Sequence, residues 1–135
     1  MIGVVVVTHG QLATELLNAA ETIVGDLPRF AAVSIGWHDD TEDAHAEIAQ
    51  AIGRVDEGAG VLILTDMFGG TASNLAMSCL SPGKVEVITG VNLPMLIKLA
   101  NLPEQSDLLA SAREMREHGR NAIWVASDLL RGEKT

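Results

Sequence analysis

A histidine and an aspartate in this sequence each follow a hydrophobic run and have the chemistry for nucleophilic catalysis. His9 lies just after residues 2–7 and directly before Gly10, and Asp66 follows Val61–Thr65. A carboxylate that accepts a hydrogen bond from one imidazole nitrogen fixes the tautomer and leaves the other nitrogen as a nucleophile. The pair therefore predicts a nucleophilic His9 oriented by Asp66. The alternatives are a solvated or capping role for His9 and helix capping for Asp66.

A glycine-rich turn after Asp66 predicts a place for an anion. Gly69, Gly70 and Thr71 open a helix, where glycines let the backbone approach a ligand and free N–H groups point outward. The helix dipole contributes only about 0.3–1 kcal/mol, whereas each charge-assisted hydrogen bond contributes about 1.5–3 kcal/mol. We therefore expect phosphate binding by Gly10, Gly69, Gly70 and Thr71, with several backbone donors and the Thr71 hydroxyl. The alternative is an ordinary turn.

Other motifs for cofactors or metals are weak in this sequence. It has no Walker-type loop and no dinucleotide fingerprint, so we expect no nucleotide cofactor. Asp66 is the lone acidic residue of its turn, which disfavours a magnesium site. His38 beside Asp39 and Asp40 resembles a metal-ligand set, but a helix cap explains this triplet better. We therefore expect no metal site.

Composition excludes several classes of function. The net charge of -9 and the pI of about 4.7 disfavour nucleic acid, and they suit either a basic protein partner or solubility alone. The single cysteine, Cys79, cannot form an intramolecular disulfide, and its apolar neighbours predict a buried thiol in a helix. The run 2–7 is too short for a membrane span or a signal peptide. These features predict a cytoplasmic protein without membrane insertion.

Strands and helices alternate along the chain. The aromatic fraction is 3%, so aliphatic side chains must fill the core, as is typical of parallel sheets covered by helices. The predicted order is strand 2–7, helix 11–24, strand 30–35, helix from 39–43 to about 55, strand 61–65, helix 71–80, strand 85–88, helices 93–100 and 106–118, and strand 121–127. The pattern predicts one α/β domain over 1–135, with a mainly parallel sheet and helices on both faces.

The elements bring the candidate residues to one edge of this sheet. Ligands bind beyond the carboxyl ends of the strands, where successive connections leave on opposite faces. The first and third strands are the usual neighbours at that point, so we expect the His9 and Asp66 side chains to meet. Met67 and Phe68 at the mouth of the crevice are either a docking spot for a partner or a packed apolar lip.

The last strand, 121–127, has no evident partner in the chain. An exposed edge of this composition would be prone to association. Pairing with a second subunit would satisfy the backbone hydrogen bonds of this edge, so we expect a homodimer.

Three segments in strand-to-helix turns together resemble the mannose/fructose-type enzyme IIA family of the bacterial phosphoenolpyruvate-dependent sugar phosphotransferase system. They are residues 7–10 (Val-Thr-His-Gly), 64–74 (from Leu64 through Asp66-Met-Phe-Gly-Gly-Thr71 to Asn74) and 89–95 (Thr-Gly-Val-Asn-Leu-Pro-Met). The resemblance covers essentially the whole chain. It implies an α/β homodimer that exchanges its final strand between subunits.

The resemblance implies that His9 accepts a phosphoryl group from phospho-HPr and passes it to an enzyme IIB, with Asp66 orienting the ring. Because fused members carry a linker and a IIB domain after this point, we expect a separate IIB protein for a chain that ends at Thr135. The alternatives are a regulatory sensor of the phosphorylation state of the relay, without a role in transport, and a dihydroxyacetone kinase phosphotransferase subunit.

Overall fold

The computed structural model of the protein describes residues 1–36 and 40–132 as one parallel sheet between two layers of helices. The elements are, in chain order, β1 (Gly3–His9), α1 (Leu12–Val24), β2 (Phe30–Ile35), α2 (Thr41–Val55), β3 (Val61–Thr65), α3 (Thr71–Met77), β4 (Val85–Thr89), α4 (Leu93–Leu99), α5 (Leu108–Asn121) and α6 (Ala126–Leu130). The α/β class and the parallel sheet with helices on both faces are as the sequence predicts.

The strand order in the sheet is β2-β1-β3-β4, and each neighbouring pair is parallel. β1 and β3 pair directly, with Val7 opposite Thr65, so β1 extends two residues beyond the end of β3 and places His9 near Asp66. β3 is buried along its whole length, and β1 is buried up to its last residue. Continuous hydrophobic runs suit this position, because helices cover both faces of a central parallel strand.

Alternate residues of the strands pack into two separate cores. Val4 and Leu64 face the layer that contains α1, α4 and α5, whereas Val5 and Ile63 face α2 and α3. Glycine at position 3 lets β1 lie close to the end of α2, because an added Cβ there would collide with the backbone of Val55. Since α1 and α3 lie on opposite faces, the connections after β1 and β3 diverge, and a crevice opens between their carboxyl ends.

Helix α3 is shorter than the sequence predicts. It ends at Met77 and not at residue 80, because the Ser78 hydroxyl donates to the Leu75 carbonyl oxygen at 2.6 Å and competes with the helical bonding of the last turn. Cys79 therefore lies in a turn and is half-buried, and the expectation of a buried helical thiol was wrong. Its Sγ atom is 3.9 Å from His45 Nε2.

The predicted strand at 121–127 is not formed in this single chain. Asn121 is the last residue of α5, and α6 begins at Ala126, so only a short non-helical stretch separates the two helices. The reason is positional, since Asn92 Nδ2 donates to the Gly119 carbonyl oxygen at 3.0 Å and fixes the end of α5 beside the carboxyl edge of the sheet. In the described chain, this segment does not pair with β4, the edge strand near it.

Candidate functional site

The His9 and Asp66 side chains meet at the carboxyl edge of the sheet. His9 Nδ1 is 2.9 Å from Asp66 Oδ2, and the His9 backbone amide donates to the same oxygen at 3.0 Å. The His9 side chain is 46% exposed, whereas that of Asp66 is 14% exposed. Asp66 therefore holds one nitrogen of a ring that is open to solvent, and Nε2 is the nitrogen left for chemistry.

Strand pairing and the start of helix α1 set the position of His9. β1 ends at His9 beside β3, and Asp66 is the first residue after β3. The buried Thr8 hydroxyl accepts a hydrogen bond of 2.7 Å from the amide of Ala13, which ties the end of β1 to the first turn of α1. Gly10 makes the turn between them with a φ of 57°, a conformation that favours glycine.

The Asp66 carboxylate is the ionised partner of the pair. Burial by itself raises the pKa of Asp66. Hydrogen bonds from the ring and the amide of His9, and the electrostatic attraction of that ring, outweigh the effect of burial. The pKa of Asp66 therefore lies below its ordinary value of 3.8. An ionised carboxylate only accepts hydrogen bonds, so Nδ1 of the neutral ring carries the proton. The Nε2 lone pair is then free for nucleophilic attack.

Hydrogen bonds within the protein already engage most of the backbone amides around the ring. The amide of Gly10 donates to the Ile35 carbonyl oxygen at 3.0 Å. The amides of Gly69 and Gly70 donate to Ser73 Oγ at 2.9 and 3.2 Å. The site therefore differs from the expectation of several free backbone donors. Within the described chain, the amide and the hydroxyl of Thr71 have no such partner, so Thr71 is the donor open to a ligand.

The ring lies against glycine in the turn before α3. A Cβ atom added to Gly70 would lie 2.7 Å from His9 Cε1 and 3.0 Å from Nε2, closer than real Cβ contacts. The neighbouring Gly69 has a φ of 92° and open space on the side where a Cβ would lie. The two glycines thus leave room beside Nε2 for the ring and for a group attached to it.

Exposed apolar residues follow Asp66 in the chain and begin the helix after His9. Met67 is 55% exposed, Phe68 is 70% exposed and Leu12 is 45% exposed. Of the two expectations for Met67 and Phe68, the packed lip is wrong, because neither side chain is covered. Exposed large apolar side chains are typical of a protein-binding surface.

Two other histidines of the described chain lie on helices and are not part of the His9–Asp66 pair. His45 is on α2 near Cys79, and His118 is on α5. Among the residues that the structure describes, no three His, Cys, Asp or Glu side chains are grouped so that they could hold a metal ion.

Of the triplet His38-Asp39-Asp40, Asp40 is the N-cap residue of α2 and accepts from the Glu42 amide at 2.8 Å, which confirms the predicted helix cap. His38 and Asp39 lie outside the described part of the chain.

Ser73 is the residue of the site that sequence reasoning missed. It is fully buried, and its hydroxyl accepts from the amides of Gly69 and Gly70 in the turn before α3. A hydroxyl three residues after the N-cap residue Gly70 is a recognisable signal, because that position can accept from the N-cap amide. The bond to Gly69 has no such sequence signal.

Comparison with known proteins places this arrangement in a family. The family model described as "PTS system fructose IIA component" matches residues 3–115. The chain is 28% identical over 136 residues to the "PTS system fructose-specific EIIA component" of Bacillus subtilis and spans 93% of it. It is 32% identical over 132 residues to the "PTS system mannose-specific EIIAB component" of Escherichia coli but spans only 39% of that protein.

Solved structures agree with the sequence relatives. The IIA protein associated with the fucose utilization operon of Streptococcus pneumoniae matches with a TM-score of 0.83 at 25% identity, over 95% of both chains. The mannose/sorbose-specific IIA subunit of Enterococcus faecalis matches with a TM-score of 0.82 at 28% identity, over 92% of this chain and 93% of that one. Within residues 1–36 and 40–132, no helix has the length and hydrophobicity to cross a membrane. The chain belongs to the mannose/fructose-type EIIA family, and its role is phosphoryl transfer in the sugar phosphotransferase system.

Proposed function

We propose that His9 is the phosphoryl carrier of this protein, accepting the group from phospho-HPr on Nε2 and passing it to an enzyme IIB for sugar uptake. The observation that carries the proposal is the 2.9 Å contact between His9 Nδ1 and Asp66, which leaves Nε2 open beside a glycine-lined space. Family membership supports the type of chemistry, and this contact supports the residue.

The transfer follows from the protonation of the ring. The Nε2 lone pair attacks phosphorus, the bond between phosphorus and the leaving atom of the donor breaks, and that atom keeps the electron pair. The ring gains positive charge as the new bond forms, and the Asp66 carboxylate at Nδ1 stabilises that charge. Transfer to IIB is the reverse reaction with a new acceptor, so Nε2 recovers its lone pair and Asp66 keeps its role.

We propose that the phosphoryl oxygens lie against Gly10, Gly69, Gly70 and Thr71. The Thr71 amide and hydroxyl would donate to them, since the other loop amides have protein acceptors. The glycines contribute space, because among the described residues no atom beyond the chain neighbours of Gly10 and Gly69 lies within 4 Å of where a Cβ would be. A phosphoryl group on Nε2 can therefore stay accessible to a partner that takes it away.

Both partner proteins must reach the same nitrogen, so one surface has to serve HPr and IIB in turn. We propose that Met67 and Phe68 are the centre of this surface, because they are exposed and directly follow Asp66, the partner of His9. The acidic chain, with a net charge of -9, would attract a basic partner surface. All of these encounters would occur in the cytoplasm.

We also propose a homodimer that forms through residues 121–127. The sheet edge at β4 and helix α5 line a groove of about 460 Å³, and Ile123 lies at its rim. Ile123 and Val125 are 72% and 65% exposed, and α6 buries none of its residues. A five-residue helix without packing is marginal, so the segment can straighten and pair with β4 of a second copy.

The carrier role is tested by phosphorylation in vitro. The wild-type protein is incubated with labelled phosphoenolpyruvate, enzyme I and HPr, beside His9→Gln and the matched control His45→Gln. We expect label on wild type and on His45→Gln but not on His9→Gln. Label that persists on His9→Gln would move the carrier role to another residue.

A chase with candidate IIB proteins then separates transport from signalling. Transfer of the label to a IIB supports sugar uptake. If no IIB accepts it and a regulator binds only one phosphorylation state of the protein, the regulatory role replaces the transport role.

A further inference from the structure

The Ser73 hydroxyl is directed back at the turn before its own helix. Ser73 Oγ accepts hydrogen bonds from the amides of Gly69 and Gly70 at 2.9 and 3.2 Å, and it donates to the Gly70 carbonyl oxygen at 3.1 Å. A hydroxyl has one donor and two acceptor positions, so these contacts use all of its capacity. The side chain is fully buried, which makes each bond a fixed part of the structure.

The turn that Ser73 holds is the surface against which the carrier ring packs. Gly70 contacts the Cε1–Nε2 edge of His9 so closely that a Cβ would lie 2.7 Å from Cε1. The Gly70 backbone is extended, with a φ of -127° and a ψ of 178°, a conformation that other residues adopt readily. Glycine is therefore needed here for the space that the ring occupies.

We propose that Ser73 is a positioning residue for His9, acting through Gly69 and Gly70. Asp66 holds the Nδ1 edge of the imidazole, and the turn fixed by Ser73 bounds the opposite edge. The terminal torsion of histidine is broad and roughly two-fold, so one hydrogen bond alone allows the ring to swing or flip. Contact on both edges keeps Nδ1 on Asp66 and Nε2 facing the partner.

Helix capping alone does not account for these contacts. A capping role needs only the bond from the N-cap amide, which is that of Gly70. The shorter bond goes to Gly69, which lies outside the helix and contributes nothing to its first turn. The pair of bonds therefore fixes the turn as well as the helix. The expected effect on phosphoryl transfer rests on the proposed carrier role, whereas the effect on the ring does not.

The test compares Ser73→Ala with Ser78→Ala. The Ser78 hydroxyl also bonds to a backbone carbonyl of this segment, that of Leu75, but does not contact the glycine turn. The first measurement is the pair of ¹⁵N chemical shifts of the His9 ring by NMR, at a pH where the ring is neutral. The second is the rate of transfer from phospho-HPr.

We expect wild type and Ser78→Ala to show one tautomer, protonated on Nδ1. In Ser73→Ala the two ring shifts should converge as orientations mix, and transfer should slow by up to about a hundredfold. A folded Ser73→Ala protein with wild-type ring shifts would overturn the proposal. If Ser73→Ala does not fold, Gly70→Ala is measured in its place. This variant keeps Ser73, but its added Cβ displaces the His9 ring. Ring shifts equal to those of wild type in Gly70→Ala would also overturn the proposal.

The two proposals can fail separately. If HPr does not phosphorylate wild type, the carrier role fails, and the ring shifts still decide whether Ser73 positions His9.

Discussion

Asp66 holds both the side chain and the backbone of His9 through one oxygen. Oδ2 accepts from the ring Nδ1 at 2.9 Å and from the His9 amide at 3.0 Å. The second oxygen, Oδ1, accepts from the amide of Met67 at 3.0 Å and fixes the carboxylate itself. The direction of the ring relative to the end of β1 is therefore set by a single carboxylate that is held in place.

Substitution of Asp66 by Ala should leave a folded protein that transfers phosphoryl groups slowly. The ring loses its tautomer control and its charge stabilisation, and we expect a loss of about 10²- to 10⁴-fold in the transfer rate. Rapid-quench measurement with phospho-HPr checks this. Asp66→Asn, which keeps an acceptor oxygen but no charge, is the matched variant. A wild-type rate in Asp66→Ala would remove the carboxylate from the mechanism.

The stabilisation from the His9–Asp66 pair should disappear in acid. The pKa of Asp66 in the folded protein lies below its ordinary value of 3.8, so the carboxylate contributes fully above about pH 3.8. The contribution is lost as pH falls through the lower folded value. Urea unfolding of wild type and Asp66→Ala over a pH series measures it. Below about pH 4 their difference in unfolding free energy should shrink as pH falls, and growth of the difference over that range would contradict the assigned direction.

Substitution of Thr8 by Val should destabilise the link between β1 and α1. The change keeps the shape of the side chain but removes the acceptor for the buried 2.7 Å bond from the Ala13 amide. An unsatisfied buried amide costs about 1–3 kcal/mol. Urea unfolding checks the value, and Thr22→Val is the control, since the exposed Thr22 hydroxyl bonds only to the Asn18 carbonyl. Equal losses of unfolding free energy in the two variants would show that the buried Thr8 bond stabilises the protein no more than the exposed Thr22 bond.

Substitution of Ile123 by Asp should abolish the proposed dimer. Ile123 is 72% exposed in the single chain and would be buried against β4 of a second copy, where an unpaired charge is costly. Size-exclusion chromatography with light scattering should give a dimeric mass for wild type and a monomeric mass for the variant. Leu80→Asp, at an exposed apolar residue outside the segment, should remain dimeric. A monomeric wild type would end the dimer proposal.

Much of the site follows from sequence because long hydrophobic runs determine the sheet. The run that ends at Thr65 is buried throughout, and its pairing with β1 brings His9 and Asp66 together as the strand order predicts. Register within a parallel sheet is strongly specified where both faces are buried. The meeting of two side chains far apart in sequence could therefore be predicted from topology alone.

The remaining features depend on groups that a local pattern does not identify. The segment 121–127 has the composition of a strand, but in the single chain α5 continues to Asn121 and the residues after it do not pair with β4. The amides of Gly69 and Gly70 resemble free anion donors, but the hydroxyl of Ser73 one helical turn away occupies both. The first outcome depends on tertiary geometry, whereas the second is a local contact of which only the bond to Gly70 has a sequence signal.

The direct pairing of β1 with β3 has a consequence for how this protein loses activity. His9 and Asp66 are 57 residues apart in sequence, and no local peptide contains both. Their contact exists only in molecules that have closed the centre of the sheet, so unfolding and loss of the reactive histidine are one cooperative event. Substitutions that destabilise the sheet should therefore lower the fraction of folded molecules, while each folded molecule keeps the full rate of phosphoryl transfer.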